Sequence, residues 1–397
     1  MAHQFKYIIV GGGLAGASAV EGIRSRDDSG PIALFAREAH LPYDRPPLSK
    51  GLWSGKTTLE NLQVFPESFY TSRNVHLFLG TEVTEVDARK NQIVDAEGHR
   101  YAFDRLLLAT GGTPRRLSFG EGVLRYFRTV DDYLLLRQEA GPGTSCVLIG
   151  GGFIGGELAA ALTSAGVHVS MLFPDAFLLQ KILPKDLALF VTEYYRSKGV
   201  VIHDGDVPKD AVRSGGAIRV TTRNGQTLTC DLALAAIGLN LHMEVAKKAG
   251  LTVDNGIVVN ALLQTSRPNI YAAGDIAYFP SPSLGHSIRI EHWNNAQSQG
   301  RHAGENMAGA GKPFEYLPYF YSDLFDLGFE ALGDLDPRLT TFADWREENR
   351  EGVVYYLDSG LVKGILLWNV WGKVDEARNL IDAGRHFRAP DQLRGTL

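Results

Sequence analysis

The sequence predicts an α/β protein with two three-layer, Rossmann-like nucleotide-binding domains and a C-terminal α+β domain. Three observations lead to this prediction. A glycine fingerprint occurs as Gly11-Gly12-Gly13-Leu14-Ala15-Gly16 and again at residues 150–155. Each copy follows an apolar, β-branched run and opens an Ala-rich helical stretch. From about residue 317 the pattern changes to alternating strands followed by one helix, which is typical of an α+β unit.

The repeated fingerprint indicates the kind of ligand. A strand, a G-x-G-x-x-G turn and a helix place backbone N–H groups and the helix N-terminus against a pyrophosphate. One match is weak, because a glycine turn without a ligand looks the same in sequence. Two matches in the same context indicate that one chain binds two dinucleotides. That is the arrangement of a flavoprotein reduced by a nicotinamide nucleotide.

Composition restricts the class of protein. The chain has 397 residues and a formal net charge of −5, so we expect two or three domains and no surface that attracts nucleic acid. No apolar run approaches the roughly 20 residues of a membrane-spanning helix. Because the first strand is expected to begin by residue 5, we expect no targeting segment and a cytoplasmic location. The 11 histidines show no metal-ligand clustering, so we expect no metal site.

The elements follow in order along the chain. We expect a strand from residue 5, a helix over 17–24 and a strand over 32–35, then a loop at 41–50 whose prolines argue against a helix. Further strands are expected at 75–79, 82–87 and 106–111, and the strand before Gly274 returns to the first domain. The C-terminal part should contain strands at 353–357 and 362–367, a helix over 373–382 and a loosely held tail from residue 385. The predicted domains are an FAD-binding domain (1–116 and 239–316), an NAD-binding domain (117–238) and a C-terminal domain (317–397).

Several motifs carry a family resemblance. LPYDRPPLSK at 41–50, ATGGTPR at 109–115 and AAGD at 272–275 resemble the flavin-dependent ferredoxin reductases of the glutathione-reductase fold. LFPD at 172–175, KILP at 181–184, IEH at 290–292, GENM at 304–307 and LWN at 367–369 are similar to apoptosis-inducing factor proteins. The animal members carry a long insertion in the C-terminal domain, which residues 342–353 bridge directly here. They also carry a mitochondrial presequence and basic surface segments, neither of which we expect in this protein. The resemblance therefore implies the redox reaction of the family for this sequence, but it does not imply a role in death signalling.

The first fingerprint is expected to bind FAD. Glu38, about 20 residues beyond the turn, is the candidate for the adenosine ribose, with a solvated surface charge as the alternative. The adjacent Arg37 stands where relatives have another acid. The resemblance implies that Arg45 and Lys50 contact the cofactor, although a rigid turn with surface charges is the alternative. It implies further FAD contacts at Val83, Arg128 and Asp275.

The second fingerprint is expected to bind the nicotinamide nucleotide, with contacts at Gly151, Gly152, Phe153, Ile154 and Gly238. NAD enzymes place an acid near the end of the following strand. Here that acid is delayed to Asp175, and no arginine follows until Arg196. We therefore expect NADH in preference to NADPH. Lys181 matches a nucleotide-contacting lysine of the family.

Catalysis is assigned to two residues. Glu157 is expected in the first turn of the second helix, where the helix dipole alone could explain a carboxylate. The resemblance implies that Glu157 pairs with Lys50 beside the flavin and positions the nicotinamide amide. Lys50 would then stabilise negative charge on the reduced flavin, and Phe153 would cover the ring until the nicotinamide displaces it. The remaining implied contacts are Glu291, His292, Trp293 (in place of a second histidine, or simply a core aromatic), Tyr321 (in place of a tryptophan), Glu330 and Asn369.

The two cysteines limit the reaction class. Cys146 and Cys230 form no C-x-x-C or C-x₄-C pair, so we expect buried structural thiols. Disulfide reductases of the same layout need a dithiol beside the flavin. The sequence thus predicts an FAD-dependent NADH oxidoreductase that passes electrons to a ferredoxin- or rubredoxin-type iron–sulfur protein or a quinone, with a homodimer as a further expectation. The alternative is a redox-sensing interaction protein, in which a long-lived reduced FAD–NAD complex controls oligomerisation or partner binding.

Overall fold

The computed structural model describes residues 3–397 of the chain. The strands are β1 His3–Val10, β2 Ile32–Ala36, β3 Val75–Leu79, β4 Val83–Asp87, β5 Gln92–Asp95, β6 Arg100–Leu108, β7 Gly112–Pro114, β8 Arg125–Tyr126, β9 Ser145–Ile149, β10 His168–Leu172, β11 Val201–His203, β12 Pro208–Ser214, β13 Ala217–Thr222, β14 Thr227–Cys230, β15 Leu232–Ala235, β16 Leu239–Leu241, β17 Ile257–Val258, β18 Ile270–Ala272, β19 Ala277–Ser281, β20 His286–Ile288, β21 Tyr319–Leu324, β22 Leu327–Gly333, β23 Thr340–Glu347, β24 Glu351–Asp358 and β25 Leu361–Trp368. The helices are α1 Leu14–Arg24, α2 Glu67–Ser72, α3 Val130–Glu139, α4 Phe153–Ser164, α5 Lys185–Ser197, α6 Glu244–Lys248, α7 Trp293–Met307 and α8 Val374–Asp382.

These elements form two compact units. The first consists of the residues up to Asp44 together with Glu60–Thr113 and Asn240–Pro318. The second consists of Arg45–Leu59, Pro114–Leu239 and Tyr319–Leu397. Among residues 3–397, no helix is both long and apolar enough to cross a membrane.

A seven-stranded sheet organises the first unit. Its order is β3-β2-β1-β6-β5-β4, and β18 also pairs with β6. Strands β3, β2, β1, β6 and β18 run parallel, and β1, β6 and β2 end in register because Val10 pairs with both Phe35 and Leu108. The central strands are buried on both faces, as parallel strands with helical cover require. Their carboxyl ends therefore share one edge, where such sheets bind ligands.

Helix α7 packs against α1 backbone to backbone. A Cβ added at Gly300 would lie 2.2 Å from the carbonyl oxygen of Ala15, and one added at Gly304 would lie 2.2 Å from that of Ala19. A Cβ at Gly22 would lie 2.0 Å from the carbonyl oxygen of Arg301. Glycine is therefore needed on both helices for this approach, which fixes α1 and its N-terminal glycine turn in place.

The second unit contains three sheets. A five-stranded parallel sheet has the order β11-β10-β9-β15-β8, and Ile149 at the end of β9 pairs with Leu172 and Ala235. A three-stranded antiparallel sheet has the order β12-β13-β14. The C-terminal sheet is antiparallel, in the order β21-β22-β25-β24-β23, and α8 packs on it. Strand β23 ends at Glu347 and β24 begins at Glu351, so a short turn joins the two antiparallel strands into a hairpin.

Two local expectations were wrong. Pro46–Ser49 forms a 3₁₀ turn, because prolines at the first positions of a turn lose no backbone hydrogen bond there. The C-terminal tail is packed rather than loose: Phe387 and Leu393 are buried, and the main-chain N–H of Gly395 donates to Asp344. The mixed α/β class is confirmed. The three domain boundaries stay a prediction, because the two compact units place residues 114–239 and 319–397 together.

Candidate active site

The glycine turn of the first unit forms a cradle at the end of β1. Gly11 has φ of +133°, and a Cβ there would lie 2.1 Å from the carbonyl oxygen of Ala109. A Cβ at Gly16 would lie 2.0 Å from the carbonyl oxygen of Gly11, whereas Gly13 has no atom within 4 Å of the added carbon. Gly13 is also the N-cap of α1, whose first turn contains no acid. An anion can therefore approach the N–H groups of this helix end, as a pyrophosphate requires.

Glu38 follows the strand next to this cradle. Strand β2 ends at Ala36, and the half-buried Glu38 carboxylate accepts a 2.6 Å hydrogen bond from the Tyr43 hydroxyl. The neighbouring Arg37 is exposed. Glu38 is thus held at the strand end and is more than a solvated charge. Its contact with a ribose stays a prediction.

Asp275 lies beyond the end of β18 in a 3₁₀ turn, Gly274–Ile276. Its main-chain oxygen accepts a hydrogen bond from Arg289, whose guanidinium also pairs with Glu291 at 2.5 Å. His292 is the N-cap of α7. Burial lowers the pKa of His292 to about 4, and the charge of Asp275 opposes that shift. His292 is therefore a neutral imidazole at pH 7.

Trp293 is tied to the proline-rich loop. Its indole N–H donates a 2.5 Å hydrogen bond to Asp44 Oδ1. Burial raises the pKa of Asp44, and the bond from Trp293 opposes that shift. Trp293 is therefore a polar anchor as well as a packing residue. Val83, at the start of β4, is buried in the same unit.

The glycine turn of the second unit has the same construction. Gly150 has φ of +126°, and a Cβ there would lie 2.3 Å from the carbonyl oxygen of Ala236. A Cβ at Gly155 would lie 2.2 Å from the carbonyl oxygen of Gly150, and Gly152, the N-cap of α4, is open. Gly151 packs against the ring of Phe173, which is fully buried beyond the end of β10. This second cradle also fits a pyrophosphate.

Asp175 and Lys181 lie in the loop that follows Phe173. Lys181 Nζ is 3.9 Å from Asp175 Oδ2, and 82% of the lysine side chain is exposed. The next arginine along the chain, Arg196, is bonded to Glu193 and to Asp204. Gly238 lies just beyond the carboxyl end of β15, at the same sheet edge as the Gly150 turn, and its main-chain oxygen accepts a hydrogen bond from the N–H of Arg115. Ile154, in the first turn of α4, is exposed.

The structure brings Lys50 and Glu157 together. Lys50 Nζ is 2.5 Å from Glu157 Oε1, with the lysine side chain 14% exposed and the glutamate 4%. The expectation that Glu157 lies in the first helical turn was wrong: α4 begins at Phe153, and its first turn contains no acid. As the fifth residue, Glu157 points into the interior and gains little from the helix end. Its charge is compensated by side-chain partners instead.

Two serines complete the environment of Glu157. The Ser49 hydroxyl donates to Oε2 at 2.6 Å, and the Ser322 hydroxyl donates to Oε1 at 2.7 Å. Lys50 Nζ also lies 5.1 Å from the centre of the Tyr321 ring, within the range of a cation–π contact. Burial and the negative charge of Glu157 raise the pKa of Tyr195 well above its usual range.

The other predicted residues of this unit have identifiable contacts. Arg45 Nη1 donates to the main-chain oxygen of Arg128 at 2.7 Å. The Phe153 ring packs against Phe320 and Phe329, with ring centres 5.4 Å and 6.2 Å away. Two aromatic residues of the C-terminal sheet therefore hold the Phe153 ring in place at the start of α4.

Glu330 lies on β22, and Asn369 directly follows β25. Glu330 accepts a bond from the N–H of Gly372, and burial raises its pKa. Asn369 bonds Gly328 and the main-chain oxygen of Arg350 through its amide. The oxygen of the Asn369 side-chain amide accepts from Gly328 and its nitrogen donates to Arg350, so both atoms are used in local structure. Nucleotide contacts by Glu330 or Asn369 stay predictions.

Comparisons with known proteins identify the family. A family model described as pyridine nucleotide-disulphide oxidoreductase matches residues 5–300. The chain belongs to this family. A second model, the C-terminal domain of mitochondrion-associated apoptosis-inducing factor, matches residues 303–351. These oxidoreductases use FAD and NAD(H), and the two cradles fit two dinucleotides.

Individual relatives cover nearly the whole chain. The mitochondrial apoptosis-inducing factor 1 of Dictyostelium discoideum is 34% identical over 431 residues, which cover 99% of this chain and 81% of that protein. Putidaredoxin reductase of Pseudomonas putida is 36% identical over 335 residues, covering 82% and 79%. The crystal structure of a covalent putidaredoxin reductase–putidaredoxin complex matches with a TM-score of 0.89 at 32% identity, covering 96% of this chain and 93% of that chain. The resemblance stated above is confirmed.

The cysteines of this pyridine nucleotide oxidoreductase form no disulfide. Cys146 and Cys230 are both free and buried. Burial raises the pKa of both thiols, so neither is a ready nucleophile. Across residues 3–397, no group of three or more His, Cys, Asp or Glu side chains is arranged to hold a metal ion.

Sequence reasoning missed three residues of the site. Asp44 and Ser49 both lie inside the proline-rich motif at 41–50, and Ser49 is adjacent to Lys50, so their position was a usable signal. Ser322 had none, because it lies 165 residues from Glu157 in the chain. A serine in a strand is usually unremarkable.

Proposed function

We propose that this chain is an FAD-dependent NADH oxidoreductase whose electrons leave to a small iron–sulfur protein. The buried Lys50–Glu157 pair carries the proposal, because burying two charges costs free energy and such pairs are concentrated at functional sites. Glu157 lies on α4, the helix that opens at the second glycine turn, and Lys50 reaches it from the end of the 3₁₀ turn Pro46–Ser49. When bound, FAD accepts a hydride and can release single electrons.

The residues of the chain have separate tasks in this proposal. The N–H groups of the Gly11 and Gly150 turns bind the two pyrophosphates. Lys50 supplies positive charge for the reduced cofactor, and Glu157 fixes the lysine and receives the nicotinamide amide. Hydride transfer requires no acid or nucleophile from the protein, so positioning and electrostatics account for the rate.

The acceptor is proposed from the relatives. Putidaredoxin reductase has been seen in a covalent complex with putidaredoxin, which supports a small iron–sulfur protein as the partner of this chain. A quinone is the alternative acceptor, and a homodimer is a further expectation that sedimentation velocity would test. The cytoplasmic location also stays a prediction.

Asp175 is proposed to select NADH. Its carboxylate would repel a 2′-phosphate, while Lys181 lies 3.9 Å away and is mostly exposed. In Asp175→Asn, Lys181 is released to pair with a phosphate, so kcat/KM for NADPH should rise about tenfold relative to NADH. Lys181→Ala in the same background should cancel the gain. An unchanged preference in Asp175→Asn would remove Asp175 from nucleotide selection.

Anaerobic stopped-flow reduction tests the whole proposal. NADH should reduce the bound FAD rapidly and NADPH slowly, and an added ferredoxin or rubredoxin should reoxidise it rapidly. A reduced nucleotide complex that persists in air and ignores iron–sulfur proteins would contradict a reductase. That result would favour the redox-sensing alternative, which sedimentation of the oxidised and reduced protein would then examine.

A further inference from the structure

The carboxylate of Glu157 receives more donors than its lysine partner alone. Oε1 accepts both Lys50 Nζ and Ser322 Oγ, and Oε2 accepts Ser49 Oγ. Ser322 is fully buried and Ser49 nearly so. All three partners donate, so the arrangement is matched to an ionised carboxylate.

Ser322 reaches this carboxylate from the C-terminal sheet. It lies on β21, whose next residue towards the N-terminus, Tyr321, places its ring 5.1 Å from Lys50 Nζ. Two neighbouring residues of one strand therefore contact the two members of the pair. Lys50 itself follows a 3₁₀ turn and approaches from a different segment. The hydrogen bond from strand β21 therefore fixes the orientation of the Glu157 carboxylate, which would otherwise rotate when the Lys50 side chain moves.

We propose that Ser322 is a positioning residue for FAD reduction: its hydroxyl fixes the orientation of the Glu157 carboxylate, and through it the position of the Lys50 ammonium. The proposal rests on the function proposed above. Without the hydroxyl, Glu157 retains its charge and its two other donors, but Oε1 can rotate with Lys50. The ammonium then has a range of positions, and stabilisation of charge on the reduced cofactor falls.

The test compares Ser322→Ala with Ser322→Thr, which keeps a hydroxyl, and with Thr192→Ala as a matched control. Thr192 is also fully buried in the second unit, and its hydroxyl bonds Ala188 and Leu178, away from the pair. Each variant is loaded with FAD. We measure four quantities for each variant: the rate of FAD reduction at saturating NADH, the Kd for NADH, the thermal stability, and the midpoint potential of the bound FAD without nucleotide.

We expect Ser322→Ala to reduce the rate at saturating NADH about tenfold or more, the loss typical of one hydrogen bond to a charged group. The Kd for NADH should stay within about twofold, and the midpoint potential should become more negative. Ser322→Thr should recover most of the rate. Thr192→Ala should lose thermal stability at an unchanged rate and potential.

A double-mutant cycle with Glu157→Gln separates the possible failures. If Ser322 acts through Glu157, Ser322→Ala should change the rate less than about twofold in the Glu157→Gln background. If Ser322→Ala lowers the rate equally in both backgrounds, or if Ser322→Ala alone has the native rate and potential, the Ser322 proposal is overturned. In either case, a slow Glu157→Gln protein still supports the proposed function. A Glu157→Gln protein as fast as the native one refutes both. If Ser322→Ala does not fold, Ser322→Cys, a weaker donor of similar size, should be severalfold slow, and a native rate there overturns the proposal.

Discussion

Replacing Gly300 with alanine should weaken FAD binding without touching any predicted cofactor contact. The added Cβ would lie 2.2 Å from the carbonyl oxygen of Ala15, whereas carbon and oxygen approach no closer than about 3.3 Å. Helices α1 and α7 must therefore separate by roughly 1 Å at this point. Ala15 lies in the first turn of α1, so the displacement falls on the helix end that opens at the Gly11 turn.

The size of the effect follows from the cost of overpacking. Forcing one extra carbon into a close contact costs about 1–3 kcal/mol. If that strain is relieved by moving the first turn of α1, the Kd for FAD rises by about five- to 150-fold. Gly304→Ala imposes the same clash on Ala19, one turn further from the cradle. It should lower the melting temperature equally but raise the Kd for FAD less.

Titration of apoprotein with FAD, followed by quenching of flavin fluorescence, measures both constants, and calorimetry gives the melting temperatures. Gly141→Ala is the control, because an added Cβ there meets no atom within 4 Å. Equal FAD affinity in native protein and Gly300→Ala, at a lowered melting temperature, would show that α7 does not position the cradle. A larger loss of affinity in Gly304→Ala than in Gly300→Ala would also refute the reasoning.

Three further predictions concern titratable groups. Glu157→Ala should slow FAD reduction about a hundredfold with FAD still bound, since Lys50 loses its counter-ion; unchanged stopped-flow kinetics would exclude Glu157 from the reaction. Cys146 and Cys230 should resist iodoacetamide at pH 8 in the folded protein and react in urea, because burial raises the pKa of both thiols; labelling of the native protein would contradict this. The pKa of His292 is lowered to about 4, below its value of about 6.5 in an unfolded chain. Its contribution to the free energy of unfolding is therefore complete above about pH 6.5 and is lost as the pH falls towards 4. His292→Gln should flatten the dependence of melting temperature on pH over that range. An unchanged slope would contradict the assignment.

Local pattern was a sufficient guide where structure depends on neighbours in sequence. Strand β3 covers the residues predicted for it, and α1 contains the whole predicted helix. The error at residues 46–49 arose because proline at the first positions of a turn permits 3₁₀ structure. The placement of Glu157 was wrong because the helix starts at Phe153, and a shift of helix start moves a residue from one turn to the next.

The sequence by itself determined the two cradles. Their geometry depends on positive φ at Gly11 and Gly150 and on the absence of a Cβ at fixed spacing, and both properties are local. The tertiary structure alone decided the environment of Glu157. A buried charge takes its partners from whatever segments the fold brings near, and Ser322 lies 165 residues away. The hydrogen bond between Trp293 and Asp44 likewise depends on the tertiary structure, because the two residues lie 249 positions apart in the chain.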